Sequence, residues 1–328
     1  MMKYQVISHQ HIFEPKRYFR QCHASSVALL PDGCTGAAWF GGTQEKADDV
    51  AIWFSKRRKG EWTEPEKIAD APEIPCWNPV LFCDGNRTLL FYKVGKEISR
   101  WQTMIKESFD GGKSWCAERE LVPGDFGGRG PVKNKCIRLM DGSILAPAST
   151  EEGEWNCFLD RSEDGGKTWI RSENIPVDRE KMKGEGIIQP TVWQSTDGNV
   201  HLLMRSSEGV LYRSDSPDGG KTFTPAKKTQ IPNNNSGIDA IRMEDGRIVL
   251  VYNPVSGNWA ARSPICFAVS EDGGETFGEP QILDYVPCDK NEERAEFSYP
   301  AIVSKGNDVF LTYTWKRETI AFWQIRIF

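Results

Sequence analysis

Ser108-Phe-Asp110-Gly-Gly112-Lys-Ser-Trp115 recurs as Ser162 to Trp169, Ser216 to Phe223 and Ser270 to Phe277, each serine 54 residues after the one before. A degenerate copy, Ser55 to Trp62, lies 53 residues before the first, with a Lys-Arg-Arg-Lys stretch in place of its Asp-Gly turn. A fixed period of this length is the mark of a repeat architecture, and 328 residues hold about six such units. A second series keeps the same phase: apolar runs end in Asp32-Gly33, Asp84-Gly85, Asp141-Gly142, Asp197-Gly198 and Asp245-Gly246, with Lys305-Gly306-Asn307 as the sixth. Asp-Gly between apolar runs signals a tight hairpin, because both turn positions tolerate positive φ. Each unit therefore reads as four strands, and the chain as an all-β, six-bladed propeller forming one domain over residues 1–328. The last unit supplies only three strands, so Tyr4–Phe13 is expected to complete it and remove the free sheet edges.

Composition narrows the function. The net charge of -5 and the pI near 5.6 lack the basic balance of a nucleic-acid binder. No long apolar run points to a membrane, and the residues from Met1 to His11 lack the features of a secretory signal, so a cytoplasmic location is expected. Nine cysteines without a Cys-x-x-Cys pair read as reduced thiols, neither a disulfide framework nor a metal site, and no cofactor is implied.

In an up-and-down blade the start of the innermost strand and the end of the second strand lie on one face. Those positions collect Trp39, Asn78, Lys93, Lys133, Lys135, Gln189, Arg205, Asp239, Glu296 and Tyr299, with His23 on the first inner strand. The other face carries plain Asp-Gly hairpins and the aspartate-containing turns, whose aspartates are read as acceptors for turn N–H groups and not as a site. Cations clustered near the axis of an acidic protein suggest a small-molecule or oligosaccharide partner that is anionic, since guanidinium groups bind carboxylates through paired hydrogen bonds. Each lysine can equally be paired with Glu151, Asp239 or Glu296.

The Ser-x-Asp-x-Gly-x-x-Trp repeats resemble the Asp-boxes of the sialidase superfamily, over nearly the whole chain. The resemblance implies that Arg205, in Leu-Leu-Met-Arg-Ser, and Arg262, eight residues before Ser270 and after Asn253-Pro254, hold a substrate carboxylate. It implies Tyr299 as the nucleophile and an acid/base from the Gly41–Asp49 loop, with Glu45, Asp48 and Asp49 as candidates. Two positions depart from the pattern: His23 stands where the first arginine of an Arg-Ile-Pro motif belongs, and Gln189 where a glutamate partners the tyrosine. With Cys-His-Ala-Ser and Ser-Tyr-Pro-Ala, the chain looks like a divergent branch of sialidase-like BNR-repeat proteins.

Two classes of function follow. One is an exo-acting glycoside hydrolase on an acidic sugar such as a sialic acid or uronate, with Tyr299 as nucleophile or as stabiliser of the oxocarbenium-like centre and Glu296 or Glu185 as the carboxylate that partners it. The near-neutral ordinary pKa of His23 suits general acid/base work, including β-elimination from a uronate; a histidine hydrogen-bonded at a strand start is the bland alternative. The other class is a non-catalytic propeller binding carbohydrate or protein through the same groups.

Overall fold

The computed structural model describes residues 2–287 and 295–328. Six antiparallel sheets follow one another along the chain. Their innermost strands are Gln21–Leu29, Cys76–Asp84, Ile137–Arg138, Ile187–Gln194, Asp239–Arg242 and Phe297–Lys305, which open blades one to six. Tyr4–His11 is the outer strand of blade six, paired antiparallel with Thr319–Ile327, so the two ends of the chain are joined in one sheet.

The core lies between the blades. Six apolar clusters each join one blade to the next, from Phe54 and Leu81 between blades one and two to Phe13, Trp39 and Phe322 between six and one. In each Asp-box the serine hydroxyl accepts the N–H of the second glycine, and the aspartate accepts two further N–H groups; for Asp110 these are Lys113 and Ser114, both at 2.9 Å. The aromatic residue that ends the box reaches back to the preceding blade, where Trp115 packs edge-on to Phe54 at 5.7 Å and Trp169 to Phe91 at 6.1 Å. Trp62 of the degenerate copy does the same on Phe322 at 5.1 Å. The backbone is equally close there: a Cβ on Gly112, at φ +81°, would stand 2.7 Å from the Phe54 ring.

Cations latch the blades on this face. Lys56 bridges Asp32 of its own blade to the Gly111 carbonyl of the next, and Arg87 repeats this with Asp84 and Gly165. Arg161 bonds Asp141, Ser143 and the Gly219 carbonyl. All eight described cysteines are free thiols, and Cys288 lies outside the described residues.

Candidate functional site

On the opposite face the innermost strands share a device. In four blades two residues of the inner strand oppose one of its neighbour, between His23 and Ser26, Trp77 and Val80, Ile188 and Thr191, and Ser298 and Ala301. The first residue inside each bulge is Ala24, Asn78, Gln189 or Tyr299, with φ of +54°, +36°, +53° and +55°. Left-handed backbone at residues other than glycine costs roughly 1–3 kcal/mol each. Bulges re-aim side chains, and here they mark the rim of the pore. Proline follows Asn78, Gln189 and Tyr299; having no N–H, it suits a position without a ladder partner.

Two of these bulges meet across the axis. Arg205, at the end of the second strand of blade four, donates from Nη1 to the Tyr299 hydroxyl at 2.9 Å and to Gln189 Oε1 at 3.0 Å, and from Nε to Asn235 Oδ1 at 2.7 Å. Gln189 Nε2 also donates to the Tyr299 hydroxyl, at 3.3 Å. Arg205 is 2% exposed, and among the described residues it forms no ion pair and its Nη2 makes no hydrogen bond. A buried guanidinium normally has a carboxylate partner. Three aromatic rings flank it instead: Trp259 at 5.4 Å and Trp155 and Tyr299 at 5.9 Å, and Trp259 is 55% exposed.

Around Tyr299 the remaining groups form an ion cluster. Arg262 lies 5.7 Å from the centre of the tyrosine ring, so both guanidinium groups converge on one residue. Glu296 accepts from Arg262 Nη1 at 2.6 Å and from Arg317 Nε at 2.8 Å, and stands 3.7 Å from His23 Nδ1. Burial pushes the Glu296 carboxyl up, but the Arg262 and Arg317 guanidinium groups outweigh it and hold it well below the usual carboxylate range. Arg317 also donates to Glu45 at 2.6 Å, which draws the Gly41–Asp49 loop onto the cluster. The His23 ring lies 4.2 Å from that of Tyr299, with Nδ1 2.9 Å from the Thr314 hydroxyl. Burial, and then the Arg317 charge, push His23 well below the ordinary histidine value, so it is a neutral imidazole at physiological pH.

Several residues that the sequence puts on this face have other partners. Trp39 is fully buried against Phe13 and Phe19 in the seam between blades six and one, because its side chain alternates away from the pore. Lys93 is fully buried, donating to Thr103 and to the carbonyls of Gly128 and Arg129, and burial pushes it down to about 7. Lys135 is paired with Asp239 at 2.9 Å, and Asp239 also accepts from Thr191 and the Ile302 N–H, which makes it an interblade joint. Asn78 donates to the Val132 carbonyl at 2.9 Å. Asp49 is exposed and clasps its own loop through the Thr43 hydroxyl at 2.7 Å; that hydroxyl and the Thr43 N–H hold its carboxyl low, the wrong direction for a proton donor. Glu296 makes no hydrogen bond to the Tyr299 hydroxyl among the described residues, its oxygens being taken by arginines and Ser298.

Three contributors have weak signals in the sequence. Glu151, at the end of the second strand of blade three, has its carboxyl pushed up by burial, opposed by the nearby Arg205 charge and the Gln189 amide. Trp155 and Trp259 lie in loops, and only the placing of Trp259 three residues before Arg262 hints at its position. No group of three or more metal-ligating side chains occurs among the described residues.

Six blades with Asp-box turns on one face and an arginine and tyrosine cluster at the pore on the other define a sialidase-like propeller. The chain belongs to the BNR repeat-like domain family, which matches residues 35–311. Among solved structures it is similar to a protein of unknown function from Dyadobacter fermentans, with 19% identity over 99% of both chains and a TM-score of 0.79. It is also similar to a point mutant of the NanB sialidase of Streptococcus pneumoniae, with 12% identity over 97% of this chain and 70% of that one and a TM-score of 0.75. The Trypanosoma rangeli sialidase gives 13% identity over 97% of this chain and 59% of that one, with a TM-score of 0.72. Likeness at these identities is a likeness of fold.

Proposed function

We propose that the protein is an exo-acting, sialidase-like glycoside hydrolase that cleaves a terminal acidic sugar, a sialic acid or a uronate, from its glycoside. The observation that carries this reading is Arg205, a buried guanidinium without an ion pair among the described residues, which donates to the hydroxyl of Tyr299. A substrate carboxylate at Nη2, which makes no hydrogen bond among the described residues, supplies the missing anion, and charge-assisted hydrogen bonds of this kind are the strong ones. The anomeric carbon then lies next to the tyrosine.

Arg205 and Gln189 both donate to the phenol oxygen, so the phenol's own hydrogen points elsewhere. The base assigned to this proton is His23, held neutral, whose ring lies 4.2 Å from that of the tyrosine. The tyrosine oxygen bonds to the anomeric carbon as the glycosidic C–O bond breaks, and the departing oxygen receives a proton from a carboxylic acid. Glu151, pushed up by burial, suits that role, and Glu45 is the carboxyl that the Gly41–Asp49 loop brings to the cluster. Water then releases the sugar by the reverse proton movements.

A second reading has its own observation. A neutral histidine packed at a tilt against a tyrosine next to a carboxylate-binding arginine also suits β-elimination from a uronate, with His23 removing the proton next to the carboxylate. One screen separates these readings from a non-catalytic binder: purified protein is incubated with sialosides, uronosides and rhamnosyl-uronides, and products are followed by reducing sugar and by the ultraviolet absorbance of an unsaturated uronate. Release of a saturated acidic sugar, lost in Arg205→Ala and Tyr299→Phe, is the expected result. Cleavage of none of the panel, or wild-type rates in both variants, overturns the hydrolase.

A further inference from the structure

We infer that Lys133 and Asn134 are positioning residues for this site, a pair in blade three that holds the two bulges carrying Tyr299 and Gln189. The inner strand of blade three is only Ile137–Arg138, so the preceding residues Lys133, Asn134 and Lys135 occupy the rim where other blades place their bulge. Lys133 is 3% exposed, and its ammonium donates to Asn134 Oδ1 at 2.8 Å, to the Ile238 carbonyl of blade five at 2.9 Å and to the Pro300 carbonyl of blade six. All three ammonium hydrogens thus have acceptors. The Pro300 carbonyl belongs to the residue immediately after Tyr299. Asn134, 2% exposed, donates through Nδ2 to the carbonyls of Gln189 and Pro190, both at 3.0 Å. One dipeptide therefore ties down both bulges from outside their own blades. The same two bulges converge on Arg205 Nη1.

Strained backbone persists only where its surroundings over-determine it. Among the described residues the Tyr299 bulge is held from across the pore by Lys133, and by the hydroxyl contacts to Arg205 and Gln189. Without the ammonium the Pro300 carbonyl loses its donor, the bulge relaxes, and the Tyr299 hydroxyl leaves Arg205. Arg205 itself remains fixed by Asn235, so carboxylate binding outlasts the loss of tyrosine alignment.

This inference rests on the proposed hydrolase for its kinetic arm alone. Lys133→Met is compared with Lys56→Met, an equally buried lysine whose acceptors, Asp32 and the Gly111 carbonyl, lie on the other face. Both variants are expected to lose thermal stability. Only Lys133→Met lowers kcat, by about 100-fold with KM changed less than about threefold, the scale of a misplacement of about 1 Å. Asn134→Ser, a milder change, lowers kcat about tenfold and serves if Lys133→Met does not fold. Equal kcat in the Lys56 and Lys133 variants, or wild-type kcat in Asn134→Ser, overturns the assignment. A crystal structure of either site variant gives the readout that needs no turnover: the contact between the Tyr299 hydroxyl and Arg205 Nη1 opens beyond about 3.5 Å if the pair positions the tyrosine. Retention of that contact overturns the positioning role even if the wild-type protein cleaves no glycoside.

Discussion

The two faces of the ring use the same residue types to opposite ends. On the hairpin face Lys56, Arg87 and Arg161 each have an aspartate and a carbonyl of the next blade, so each of the three joins two blades. On the pore face Lys93, Lys133 and Lys135 are likewise satisfied by carbonyls or by Asp239, and Glu296 draws Arg262 and Arg317. Lys93 and Lys133 have neutral acceptors for their ammonium hydrogens, whereas Arg205, whose partners Asn235, Gln189 and Tyr299 are also neutral, makes no hydrogen bond from Nη2 among the described residues. A buried cation whose donors all have acceptors is part of the frame, whereas one with neither a counterion nor an acceptor for one of its nitrogens costs stability and is ready for a ligand. The contrast separates latch from site more sharply than the presence of positive charge does.

The contrast can be broken by substitution, and the largest effect belongs to the chemistry. Tyr299→Phe is expected to lower kcat about 10³-fold while leaving the thermal midpoint near that of the wild type, since only the hydroxyl is removed. Arg205→Met should lower kcat/KM about 10²-fold and shift the midpoint less than Arg161→Met does, because the loss of a buried charge without an ion pair offsets the lost hydrogen bonds to Asn235, Gln189 and Tyr299. Arg161→Met should do the reverse, costing about 1–3 kcal/mol in denaturant unfolding with kcat within about twofold of wild type. If the Arg205 variant unfolds early and the Arg161 variant does not, the separation of latch from site is wrong. The smallest effect is in pH dependence. With His23 as base, the acid limb of kcat/KM lies well below 6.5, because burial and then the Arg317 charge hold the imidazole neutral. Arg317→Met removes a positive neighbour, eases protonation and moves that limb upward; an unmoved limb would show that another group governs it.

Most of the fold is legible in the chain because each blade carries its own copy of the same turn. The period of Ser108, Ser162, Ser216 and Ser270 counts blades, and the missing strand of the sixth points to the N-terminus. Less legible is the direction of the Asp-box aromatics, which pack on the preceding blade and so form the seams between units. For the site, the residues that meet at the pore can be picked out by strand position, but their partners cannot. Lys93 and Lys135 read as ligand-binding cations because a sequence shows charge and hides the carbonyls and the carboxylate that neutralise or satisfy it. Lys133 and Asn134 act across the axis because blade three has a two-residue inner strand, a local irregularity that the repeat conceals. Trp39 illustrates the limit of placing residues by face: one step along a strand turns a side chain from the pore to the seam.

Calorimetric titration of free acidic sugars into the wild-type protein and Arg205→Met tests the central claim most directly. N-acetylneuraminate or galacturonate should bind the wild-type protein and lose about 10²-fold in affinity in the variant, while galactose, which has no carboxylate, should bind neither. Equal affinity of the two proteins for the acid, or binding of galactose as tight as that of galacturonate, would contradict a carboxylate site built on Arg205.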